Sequence, residues 1–120
     1  MFDWPLLLQN APLLLSSLLV TLEVSTAALA IGFVIGVIVG SLRLSPVPLL
    51  KRLGGAYIFV FRGIPLLVQL LFIYYFLPRI GLPNMSPTAA AVIGLSLAAG
   101  AYIAEIMRGG FLAIPAGQLE

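Results

Sequence analysis

Cysteine and histidine are both absent from the 120 residues, and charge is scarce: six basic and four acidic side chains, 8% of the chain. Without either residue there is no disulfide, no thiolate or imidazole metal site, and no nucleophilic scheme that depends on them. Lys51 is the only lysine, and no Gly-x-x-x-x-Gly-Lys-Ser/Thr run surrounds it, so the chain holds no P-loop for a triphosphate. Asp3 is the only aspartate, and Glu23, Glu105 and Glu120 are far apart in sequence. No nucleophile elbow or metal-ligand cluster is present. These absences argue against an enzyme and against a resident metal or cofactor. A formal net charge of +2 is too small to suggest a nucleic-acid partner.

What is abundant is apolar surface: 62% of residues, with a mean hydropathy of +1.18. Soluble domains run near ~45–50% apolar and ~25% charged, and a domain this small must expose much of its surface. Ten charged side chains cannot cover that surface, so the surrounding solvent is lipid. The expected fold is an all-α membrane protein with three spans and no secretory signal. The first charge is acidic, and the apolar stretch is much longer than a signal's ~7–15 residues. Residues 1–12 read as an interfacial lead-in, with Trp4 at headgroup level.

The first span is expected over Leu13–Leu42. Val24–Leu42 carries no charge, and the whole stretch exceeds one bilayer thickness, which calls for tilt or extension. Arg43 ends it, and Ser45-Pro46-Val47-Pro48 forbids continuation. The second span is expected over Leu53–Leu77 despite Arg62. A central Arg costs roughly 2.5–3.5 kcal/mol, whereas the Ile, Leu, Val and Phe residues of Ile58–Leu77 together contribute roughly −4 to −8 kcal/mol. The third span is expected over Thr88–Met107, opened by Ser86 as N-cap and Pro87 at the first helical position. Arg43, Lys51, Arg52 and Arg108 outnumber the basic residues on the other side. The positive-inside rule therefore places them in the cytoplasm and the N-terminus outside.

Ala28, Gly32, Gly36 and Gly40 recur every four residues, a stripe that lets another helix approach closely. Gly94, Ala98 and Ala101 share a face with Glu105 and Arg108 on the third helix. In Arg62-Gly63-Ile64-Pro65, proline cannot donate to the Phe61 carbonyl and glycine loosens the same turn. Gln69 lies seven residues after Arg62, on the same face of a continuous helix. A cation, a loosened turn and an amide on one face suggest a polar pathway. The alternative is that Arg62 snorkels to headgroups or pairs with Glu105 across the helices. Glu105 and Arg108, at i,i+3, can also pair locally.

Three stretches in register carry a family resemblance. Arg62-Gly63-Ile64-Pro65-Leu66-Leu67-Val68-Gln69-Leu70 resembles the RGTPLLVQL stretch of permease subunits in polar amino acid ABC importers, with Ile64 where the family commonly has Thr. Gly100-Ala101-Tyr102-Ile103-Ala104-Glu105-Ile106-Met107-Arg108-Gly109-Gly110 is similar to its GAYIAEIxRGG segment. Ile114-Pro115-Ala116-Gly117-Gln118-Leu119-Glu120 resembles the run that opens its cytoplasmic EAA loop. Thr21-Leu22 with Leu42-Arg43-Leu44-Ser45 is a weaker match.

The resemblance implies a type I importer permease of five or so spans, of which residues 1–120 hold the first three and, over 108–120, the start of the coupling loop. It implies a bacterial plasma (inner) membrane location and alternating access driven by ATP. ATP and Mg would sit on separate cytoplasmic ATPase subunits. The other implied partners are a second permease subunit, identical or homologous, and an extracytoplasmic solute-binding protein that delivers the amino acid. Arg62, Gln69, Tyr102 and Glu105 become the expected polar groups of the pathway. Ile114, Pro115, Gly117, Gln118 and Glu120 become the expected ATPase-coupling residues. Alternatives are a permease for methionine or a quaternary amine, a channel or secondary transporter, and a non-transporting membrane scaffold.

Overall fold

The computed structural model describes residues 2–118. A short helix α1 (Trp4–Gln9) opens the chain, capped by the Asp3 carboxylate, which accepts from the Leu6 amide at 3.3 Å. Helix α2 (Ala11–Arg43) follows directly. Its 33 residues make it roughly 50 Å long, well beyond a hydrocarbon core of ~30 Å. After the Ser45–Val47 turn, Pro48 starts α3 (Pro48–Gly63) at a position where its missing N–H is harmless.

The second span departs from expectation. It is not one helix over Leu53–Leu77 but two limbs, α3 and the helical stretch Leu66–Arg79, bent by 101° at Ile64–Pro65. Sequence reasoning anticipated a loosened turn there, not a right-angle corner. The cause is local: Ile64, preceding a proline, takes an extended backbone (ψ 131°), and Pro65 stays extended too (ψ 139°). The second limb comprises α4 (Leu66–Leu71), one turn of π-helix at Phe72–Phe76, and α5 (Leu77–Arg79). It closes through Gly81, whose φ of +106° suits a residue without Cβ. The Leu82 amide donates to the Leu77 carbonyl and the Gly81 amide to the Pro78 carbonyl, pairing carbonyls that a helix end leaves open.

Helix α6 (Pro87–Leu112) starts where Ser86 accepts from the Ala89 amide at 3.1 Å. Helices α2 and α6 are long and apolar enough to cross a membrane by themselves, and the bent pair makes a third candidate span. A 3-10 turn at Ala116–Gln118 follows.

The interior is built from small residues. Ala28, Ala90, Ala98, Ala101 and Ala104 are buried, the last two at 0% exposure, while large apolar side chains such as Leu19, Phe33, Phe59 and Ile106 face outward. This inversion suits lipid, where close backbone approach replaces the hydrophobic effect as the cause of helix pairing. The stripe on α2 is buried at Ala28, Gly32, Gly36 and Gly40. A Cβ on Gly32 would lie 2.7 Å from the Ala99 Cβ, and one on Gly40 would lie 2.9 Å from the Met107 Sδ. Gly54 seats α3 against the end of α2, with the Val39 carbonyl and Arg43 amide both 3.1 Å from where a Cβ would be. The result is a slab of 62 × 41 × 23 Å, with a radius of gyration of 19.0 Å against ~14 Å for a compact domain of this length.

Candidate functional site

Helix α3 crosses α6 and is tied to it by the Tyr57 hydroxyl, which donates to the Leu97 carbonyl at 2.6 Å. Gly100 permits this approach, since a Cβ there would stand 3.2 Å from the same hydroxyl. The crossing carries the last turn of α3 over the C-terminal half of α6. Arg62 sits in that last turn, where a cation interacts favourably with the open carbonyl end of a helix. Its guanidinium lies 5.2 Å from the centroid of the Tyr102 ring, within cation–π range.

A cleft of about 450 Å³ opens at this crossing, lined by polar Arg43, Arg62, Tyr102, Glu105 and Arg108 and by apolar Ile58 and Phe59. Glu105 is held by Arg108, whose Nε donates to Oε1 at 3.0 Å and whose second guanidinium nitrogen also reaches that oxygen. The expected cross-helix pair between Arg62 and Glu105 is therefore not the arrangement found. The i,i+3 partner on the same helix reaches Glu105 through two guanidinium nitrogens on one carboxylate oxygen, and Arg62 turns instead to the Tyr102 face. Among the described residues, Glu105–Arg108 is the one side-chain ion pair, and Arg43 and Arg62 face the cleft without a carboxylate partner. A second, smaller hollow lined by Arg43, Lys51 and Arg108 shares two arginines with the first and extends the basic surface towards the start of α3.

Three of the four expected pathway residues, Arg62, Tyr102 and Glu105, thus meet at one cleft, and Gln69 does not. The corner at Ile64–Pro65 breaks the helical period that placed Gln69 beside Arg62. Gln69 is buried, lines a separate apolar groove with Phe61, Ile64 and Leu97, and donates through Nε2 to the Phe61 and Ile64 carbonyls. Sequence reasoning missed Arg43 as a cleft residue, reading it as the end of the first span, an orientation charge and part of a weak family match. It also missed Tyr57, whose partner is 40 residues away and leaves no local signal. No group of three potential metal ligands occurs among the described residues.

Just past the C-terminal end of α6, on the same side as the cleft residues Glu105 and Arg108, Ile114, Pro115, Gly117 and Gln118 are exposed. The Gln118 amide donates to the Pro115 carbonyl at 3.0 Å. The expected coupling residue Glu120 lies outside the described residues.

Residues 32–120 match the family described as binding-protein-dependent transport system inner membrane component. The chain is 39% identical to a probable amino-acid permease protein of Bacillus subtilis, over 98% of this chain and 54% of that protein. It is 38% identical to the glutamine transport system permease protein of Escherichia coli, over 99% of this chain and 55% of that one. A crystal structure of an amino acid ABC transporter with histidines superposes with a TM-score of 0.90 at 36% identity, over 98% of this chain and 55% of that one. The chain spans about half the length of the relatives it matches.

Proposed function

The chain belongs to the family of binding-protein-dependent transport system inner membrane components, and from that premise we propose that it serves as a permease subunit of an ABC importer for a polar amino acid. Its relatives include permeases named for glutamine, arginine and nopaline transport. The observation that carries the substrate class is the cleft at the α3–α6 crossing. Arg43 and Arg62 offer cations to a carboxylate, while Glu105, which Arg108 engages through Oε1, keeps Oε2 as an acceptor for an ammonium group. A zwitterion carries both charges; a purely cationic amine would meet two unneutralised arginines.

In this reading the cleft is a station on the pathway, not a site of chemistry. Separate cytoplasmic ATPase subunits supply the energy, in line with the lack of a P-loop in this sequence. The exposed Ile114, Pro115, Gly117 and Gln118, with Glu120, are the proposed contacts to those subunits, and an extracytoplasmic binding protein delivers the solute. A second permease subunit completes the pore in the bacterial plasma membrane.

The test is ATP-driven uptake of labelled amino acids into proteoliposomes holding the permease with its ATPase and binding protein. Arg62→Ala and Glu105→Gln are expected to cut uptake at least tenfold while complex assembly, read by gel filtration, is unchanged. Uptake of a quaternary amine in place of amino acids would overturn the substrate class. Unchanged uptake in both variants would remove the cleft from the pathway.

A further inference from the structure

Gln69 is only 7% exposed, yet its Oε1 has no hydrogen-bond partner among the described residues. A buried acceptor left unpaired destabilises a fold, and leucine would fill nearly the same volume without one. The reason for an amide here therefore lies with its Nε2, which donates to the Phe61 carbonyl at 3.0 Å and the Ile64 carbonyl at 2.7 Å. The Phe61 carbonyl is the one that Pro65, with no N–H, leaves without its helical donor. The Ile64 carbonyl belongs to the extended residue inside the corner itself. One amide on α4 thus reaches back across a 101° bend and satisfies two carbonyls that the bend has stranded. In water such carbonyls could turn to solvent, but within a bilayer they must be satisfied by protein.

We propose that Gln69 is the strut that holds the broken span bent, and that it thereby positions Arg62, one residue from Phe61, over Tyr102. Gln69 is a positioning residue and not a contact for the solute, and this assignment is independent of which solute the cleft accepts. The orphaned Oε1 follows from the same geometry. With both amide hydrogens turned to the corner, the oxygen points into the apolar groove formed by residues such as Val68, Phe72 and Ile73.

The absence of cysteine makes a clean measurement available. Cysteines introduced at exposed Lys51 on α3 and Tyr75 on the second limb carry a spin-label pair, read by double electron–electron resonance. The full chain is used in lipid nanodiscs with the subunits that co-purify, diluted with unlabelled chain so that each complex reports one pair. The parent is expected to give one narrow distance. Gln69→Leu is expected to lengthen or spread it by on the order of 10 Å, the change that straightening the corner produces for helical limbs of this length. Pro65→Ala restores a donor for Phe61, so adding it to Gln69→Leu is expected to return folded yield to the parent level, although the span is then straight. A side chain that only fills space would not be rescued in this way. A parent-like distance in Gln69→Leu would overturn the proposal. Where Gln69→Leu does not accumulate, the double variant decides: recovered yield supports the strut, and continued loss overturns it.

Discussion

Replacing Gly36 by alanine is predicted to loosen the α2–α6 pair, while the same change at Gly109 is predicted to strengthen α6. A Cβ on Gly36 would stand 2.5 Å from Ile103 Cγ2 and 2.7 Å from Ile103 Cβ. That is roughly 1 Å inside ordinary contact. Ile103 cannot swing aside, because a β-branched side chain in a helix keeps essentially one rotamer. The Gly100 carbonyl behind it, 3.2 Å from the same Cβ, is backbone. The helices must therefore part, and overpacking of this kind costs about 1–3 kcal/mol. Around Gly109 nothing lies within 4 Å of the added methyl, so only the helix propensity changes, by about 0.5–1 kcal/mol in favour of alanine. The assay is SDS titration in mixed micelles, following energy transfer between dyes on cysteines introduced at the exposed positions Val34 and Ile106. Opposite shifts of the midpoint are expected. Equal stability of Gly36→Ala and the parent would refute the claim that backbone proximity, not side-chain volume, holds this pair together.

Three further predictions concern single contacts. Tyr57→Phe removes the hydrogen bond to the Leu97 carbonyl and is expected to destabilise by about 0.6 kcal/mol, with ~1.7 kcal/mol as the ceiling for such bonds in membranes; the same titration reads it, and a loss above 3 kcal/mol would show that the hydroxyl does more than tie α3 to α6. Ser86→Ala removes the cap on Ala89 and is expected to cost about 1 kcal/mol, seen as faster amide exchange confined to the first turn of α6. A double-mutant cycle on Glu105 and Arg108 is expected to give a larger coupling than the cycle on Glu105 and Arg62, and one that weakens as salt is added; the reverse order would restore the cross-helix pair that the geometry does not show.

The three apolar segments were legible because lipid demands long uninterrupted runs, and proline and serine punctuate their ends. The cap at Ser86 followed from the side chain itself. The corner at Ile64–Pro65 was only half legible: proline announces a missing donor, but whether a helix kinks gently or turns through 101° depends on where the freed carbonyls find partners. That partner was Gln69, read instead as a neighbour of Arg62 by a periodicity that the corner had already ended. The π-helical turn at Phe72–Phe76 carries no proline or glycine to mark it. The cleft was legible in composition, since Arg62, Tyr102 and Glu105 stand out as polar groups in apolar surroundings. Its pairing was not, because two arginines compete for one carboxylate and only the fold decides which is nearer. Arg43 joins the cleft through the close seating of Gly54 against α2, a long-range contact with no trace in local sequence.

The packing of α2 on α6 also has a mechanical consequence. Where Gly36 and Gly100 let the two backbones approach, the side chains against them are Ile103 and Ile35, whose β-branched stems keep essentially one rotamer in a helix and cannot take up movement. The pair is stiff, a frame along one side of the molecule. The limb Leu66–Arg79 is joined to the rest of its span by a two-residue elbow with few torsions and a single buried amide across it. Movement of that limb against α3 is therefore least costly as rotation at the elbow, with Gln69 giving up its two carbonyl partners and the frame left undistorted.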